Sequence, residues 1–153
     1  MTARISRLPR LTMALALLLA FAGHTSAQLL GEVLTVAAST AELHSGIRLP
    51  SGSYRVVGEP PASLLARVRD AHEFTDWEAY TARGIAANLQ PAFVREISTN
   101  FAMAGFFLDS QEERQVGSEA HTRYLYDDGA GGSALLYVIR DGSELVWLIA
   151  KSR

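Results

Sequence analysis

Glu119, His121 and Arg123 alternate with Ala120, Thr122, Tyr124 and Tyr126, so an extended backbone puts all three on one face. An imidazole between a carboxylate and a guanidinium can exchange a proton near neutrality, and the guanidinium can grip a carboxylate through two parallel N–H donors. The stripe reads either as an ordinary solvated sheet face or as the wall of a polar groove. These three are the candidate binding residues.

No catalytic residue is assigned. The chain has no cysteine, which removes thiolate nucleophiles, disulfides and Cys-ligated metals, and it has no Gly-x-Ser-x-Gly elbow. His44, His72 and His121 stand in no HExxH or His-x-His spacing. His72 and Asp76 are four apart, but a helix expected to start between them keeps them off a common face, so neither a metal nor a cofactor is expected. Asp127 to Gly132 lacks the lysine of a phosphate-binding loop and the ligand spacing of a calcium loop. It leads into the apolar run Ala134 to Val138 and reads as a hairpin connection. Recognition is favoured over catalysis.

These residues need elements to hold them. Phe106–Glu113, Glu119–Tyr126, Ala134–Arg140 and Glu144–Ala150 read as four strands of an antiparallel meander joined by Gly-bearing turns. Asp141-Gly142 suits a two-residue type I′ turn. That turn would set Val138 opposite Leu145, Leu136 opposite Trp147 and Ala134 opposite Ile149 on one side. Tyr137 would then face Val146, and Leu135 would face Leu148, on the other. Both faces are apolar and each requires a cover.

The preceding chain supplies candidate covers. Glu32–Ala37 reads as a first strand, and Ile47–Leu49 with Tyr54–Val57 as a hairpin about Pro50–Ser53. Leu64, Leu65, Val68 and Ala71 share one face of a helix over Ala62–Ala71. Thr75 and Glu78 fit a capping box, so a second helix is expected from Asp76 through Trp77, Tyr80, Ile85 and Leu89, stopping near Gln90 before Pro91. Residues 92–100 carry Phe93 and Ile97, followed by Phe101, at helical spacing, while Phe93 and Val94 also suit a strand.

Ahead of this lies an address. Arg4, Arg7 and Arg10 precede an uncharged run, Leu11–Ala22, and a small-residue exit, Gly23–Ala27. This is the layout of a signal peptide cleaved after Ala27, with a site near Ala38 or an uncleaved anchor as alternatives. The organisation expected is a signal peptide over 1–27, an N-terminal segment with a strand over 28–45, and one α+β domain over 46–153. Of 14 Lys and Arg, those three lie in the leader, whereas all 16 Asp and Glu lie beyond it; cleavage therefore moves the net charge from −2 to −5. An exported, mildly acidic domain is a poor nucleic-acid binder, and it has no permanent membrane span once the leader is removed.

Two stretches carry a resemblance. Val116-Gly117-Ser118-Glu119-Ala120-His121-Thr122-Arg123-Tyr124 and the closing run Leu136–Trp147, set after a hairpin and helices, resemble the α/β/α sandwich of exported PsbP-like and DcrB-like proteins. That resemblance implies helices packed on an antiparallel sheet and a non-catalytic accessory role in the periplasm or outside the cell, serving an envelope protein or small ligand. The alternative is the ketosteroid-isomerase-like cone fold, in which Glu119, His121 and Arg123 would enter a ligand pocket beside Trp77 or Tyr80. A homodimer, with a second copy covering one sheet face, is a further option.

Overall fold

The computed structural model describes residues 29–152; the leader expected at residues 1–27 and its cleavage site lie outside them. Seven antiparallel strands form one sheet among the described residues. They are β1 (Thr35–Ala37), β2 (Ser53–Val56), β3 (Phe74–Ala82), β4 (Phe107–Val116), β5 (Glu119–Asp127), β6 (Ser133–Asp141) and β7 (Glu144–Ser152), ordered β1-β2-β3-β7-β6-β5-β4. The fold is α+β, with the expected four-stranded meander.

The β6–β7 hairpin lies inside the sheet and feeds two cores. Leu136, Val138, Leu145, Trp147 and Ile149 enter one, and Leu135, Tyr137, Ile139, Val146, Leu148 and Ala150 the other. The pairing differs by two residues from the expected register: Val138 faces Trp147, and Leu136 faces Ile149. The turn is Gly142-Ser143 rather than Asp141-Gly142. Gly142 has φ 57° while Asp141 and Ser143 do not enter the left-handed region, which fits a Gly-first turn and not type I′. A two-residue slip leaves every side chain on its expected face, because strands alternate with period two.

The first core is covered by α2 (Gln90–Met103), which resolves the 92–100 ambiguity as helix. Phe93, Val94, Ile97 and Phe101 are its buried stripe. Pro91 starts this helix instead of ending one, since its missing N–H falls where the first turn has no acceptor to offer. At the other end, the amide of Phe106 donates to the Phe101 carbonyl and that of Gly105 to Ala102, both at 3.1 Å. Gly105 takes φ 93°. This is a Schellman cap, and its hydrophobic contact is the edge-to-face pair Phe101–Phe106, 5.7 Å between centroids.

The opposite core has a less regular cover. Helix α1 spans only Ala62–Leu65, not Ala62–Ala71; the chain then turns, passes Asp70 at φ 58°, and makes a short 3-10 turn over Ala71–Glu73. Leu64 and Val68 are buried, and Leu65 and Ala71 pack beside them. The apolar pattern therefore holds where the regular helix does not. Leu29 joins this core, 2% exposed, and its amide donates to a Glu144 carboxylate oxygen at 2.9 Å. Residues 29–45 belong to the same body as the rest: β1 is a sheet edge and Ala41 lies in the first core. Cleavage near Ala38 would strip away both β1 and Leu29.

Two further expectations are corrected. The helix from Asp76 is strand β3. Its pairing with β7 slips between Thr75 and Glu78, where Asp76 adopts φ 51°, and this bulge returns Phe74 and Trp77 to one face although they are three apart. Trp77 and Tyr80, expected on one helical face, instead enter opposite cores, and no capping box forms. The hairpin between 47–49 and 54–57 is also absent. Pro50–Ser53 does turn, with the Ser53 amide and hydroxyl both donating to the Pro50 carbonyl, but β2 pairs with β1 and β3.

Trp147 is the centre of the first core. It is fully buried, stacked on Tyr80 at 5.6 Å and tilted against Phe93 at 5.5 Å. Trp147→Ala should lower the unfolding free energy by about 3–5 kcal/mol in a denaturant titration; a loss under about 1 kcal/mol would contradict this packing.

Candidate functional site

Alternation along β5 places Glu119, His121 and Arg123 on one face, as the sequence requires, and that face points toward the 61–73 segment. It is not a solvated face. His121 is 2% exposed. Its Nε2 lies 2.8 Å from Glu119 Oε2 and its Nδ1 2.9 Å from the Tyr137 hydroxyl. A carboxylate only accepts, so the Nε2 proton belongs to this bond.

The remaining partners come from distant parts of the chain. Arg114, directly opposite His121 on β4, donates through Nη2 to the Tyr137 hydroxyl at 2.8 Å and to the Arg67 carbonyl at 2.7 Å. Tyr137 can also donate to that carbonyl, at 3.2 Å. The Arg67 guanidinium pairs with the Glu119 carboxylate. Arg67 is therefore held at both ends, by its charge and by its backbone. The Tyr137 hydroxyl can turn between His121 Nδ1 and the Arg67 carbonyl, which lets the chain of bonds close with either a bare or a protonated Nδ1.

Arg123 stands apart from this network. It is opposed by Glu112 on β4 and Tyr137 on β6, yet it forms no ion pair among the described residues, and its Nε is buried without a hydrogen-bond partner. Glu112 leans instead toward Arg69, at 3.7 Å, in an exposed pair of the kind that contributes little. The Arg123 guanidinium lies 6.0 Å from the centre of the Phe74 ring, the outer limit of a cation–π contact. A recess of about 110 Å³ opens here, lined by Arg69, Glu112, Glu113, Arg114, His121, Arg123 and Tyr137.

Trp77 and Tyr80 do not join the stripe. Tyr80 lies in the core beneath α2, where burial first and the Glu78 carboxylate second push its phenol well above the ordinary value; it donates to Glu78 at 2.8 Å. Trp77 packs at the margin of the other core. His44 is lowered chiefly by burial and then by Lys151, and Tyr126, bonded to Ser98, is pushed up to about 12 mainly by burial. Asp128 accepts from the amides of Ala130 and Gly132, which hold its carboxyl below the usual range and tie the 128–132 turn. His72 and Asp76 sit on a 3-10 turn and a bulge, and no group of three or more His, Asp or Glu among the described residues could hold a metal.

Sequence reasoning did not assign Arg67, Arg69, Arg114 or Tyr137 to the site. In the sequence Arg67 falls off the apolar face of the helix expected over Ala62–Ala71, Tyr137 belongs to the apolar hairpin, and Arg114 lies just past the expected strand end. One signal was available: a buried tyrosine requires a partner for its hydroxyl. No protein-family model, curated protein or solved structure matches the chain.

The network makes Tyr137→Phe informative, because it removes one oxygen and leaves the ring in place. Groups of His121 and Arg114 would be left unpaired, and such loss costs about 1–3 kcal/mol. Chemical denaturation should show that loss with an unchanged m-value. Wild-type stability in Tyr137→Phe would mean that the hydroxyl holds nothing.

Proposed function

We propose that the chain is exported and acts as a non-catalytic binding domain of the cell envelope, with the recess at Arg123 as its recognition site. The observation that carries this reading is the division of labour within the stripe. Glu119 and His121 are consumed by bonds that hold the fold, whereas Arg123 has no partner and borders an opening. A half-buried guanidinium without an acceptor in the fold leaves hydrogen-bonding capacity unused, and an anionic group of a partner would satisfy it.

The leader-like residues 1–27 and the resemblance to exported PsbP-like and DcrB-like domains support the location. The cone-fold enzyme is less well supported. The sheet carries a cover on each face, and the recess at Arg123 and His121 is about 110 Å³, below the roughly 300–1,000 Å³ of pockets that enclose a whole small ligand. Among the described residues no helix is long and apolar enough to cross a membrane.

The test is capture from the envelope fraction on the mature chain starting at Gln28, in wild type and Arg123→Gln. Retention should weaken about tenfold or more in the variant, as expected from losing a charge-assisted bond, with melting unchanged. Equal retention by the two chains, or a native protein found in the cytoplasm with Met1 intact, would overturn the proposal.

A further inference from the structure

Arg114 and Arg123 are diagonal neighbours on β4 and β5, since Arg114 faces His121 and Arg123 lies two residues further along the same face. Neither has a carboxylate partner among the described residues. Arg114 spends Nη2 on two neutral acceptors, a carbonyl and a phenol, so its charge is uncompensated. Two adjacent guanidiniums without a carboxylate partner make a local excess of positive charge.

From this geometry we infer that the recess is a carboxylate-binding subsite, which takes the terminal or side-chain carboxylate of a larger molecule or a free small carboxylate. The inference rests on the recognition reading above and adds the chemistry of the occupant. Size comes first. About 110 Å³ admits an end group with a carbon or two behind it and excludes the body of a drug-sized ligand. Shape follows, because a guanidinium presents two parallel donors that match the two oxygens of a planar carboxylate.

Charge and backbone then separate a carboxylate from a phosphate. Three guanidiniums, Arg69, Arg114 and Arg123, stand against the carboxylates of Glu112 and Asp70, both of which lie beside Arg69. That small positive surplus matches a monoanion better than a dianion. Phosphate sites commonly add free backbone amides from a helix start or a glycine-rich nest. Here the neighbouring residues of β5 and β6 are paired in the sheet ladder, so these strands supply no free amides. The Nε of Arg123 is buried, so the two Nη groups, which make no hydrogen bond among the described residues, are the donors its guanidinium offers to the recess, with Arg114 alongside as the second cation.

Nuclear magnetic resonance titration of the mature chain tests this, following the Nε–H signals of Arg114 and Arg123 with the backbone amides of β4–β6. Sodium acetate at constant ionic strength should give saturable shifts confined to these residues. Affinity should drop at least about tenfold in Arg123→Gln and also fall in Arg123→Lys, which keeps the charge but loses the two-donor fork. Triglycine with a free C-terminus, compared with its amide, separates the sources: tighter binding than acetate marks a chain terminus, and binding no tighter than acetate marks a small free carboxylate. Shifts that do not saturate, that persist in both Arg123 variants, or that are exceeded tenfold in affinity by sulfate would overturn the inference. If they do so while envelope capture still depends on Arg123, the carboxylate assignment fails and the recognition reading survives. Loss of both would end both.

Discussion

A strand pair that is apolar on both faces must be enclosed on both faces, and β6–β7 imposes that demand on everything else. Leu135, Leu136, Tyr137, Val138, Ile139, Leu145, Val146, Trp147, Leu148 and Ile149 are all at most 2% exposed. Burying such side chains is worth about 1.5–3 kcal/mol each, so the covers are fixed by this hairpin more than by their own helical preference. On one face the cover is a capped 14-residue helix. On the other it is one helical turn, a run of turns, a 3-10 turn and the Leu29–Val33 stretch.

The asymmetry explains the polar network. A 14-residue amphipathic helix with a Schellman cap satisfies its own backbone and needs only its apolar stripe to stay in place. In the 61–73 segment the amides of Leu64 to Val68 bond within the segment, but the regular helix ends at Leu65 and the groups beyond it must be met from the sheet. The carbonyl of Arg67 is met by Arg114 and Tyr137, and its guanidinium by Glu119. His121 joins the Glu119 and Tyr137 ends of that arrangement. The stripe is thus a tether for the irregular cover, and Arg123 is the member that joins none of these bonds.

This division sets what was readable in the chain. Phe93, Ile97 and Phe101 mark a real helix face because that element is regular, and the β6–β7 faces survive a register error because the error is even. Periodicity fails where the backbone departs from a period. Trp77 and Tyr80 stand three apart like one helical face, yet the strand sends them to opposite cores, and the turns after Leu65 keep Val68 inward without a helix to carry it. Pro91 was ambiguous in principle, as the same ring that ends one helix can begin another. The stripe itself was legible as three side chains on one face, but its burial was not. That depends on Arg67, Arg114 and Tyr137, which pairing and topology bring together from 47 and 70 residues away.

The tether is the central claim, and native-state hydrogen exchange measures it most directly. Glu119→Gln removes the charge that holds Arg67 and His121 while changing little volume. Amides between Leu64 and Glu73 should lose protection in this variant, with α2 and β6–β7 exchanging as slowly relative to global unfolding as before, because local opening is separable from global unfolding. Unchanged protection across Leu64–Glu73 would contradict the account, since the segment would then be held by its apolar contacts alone.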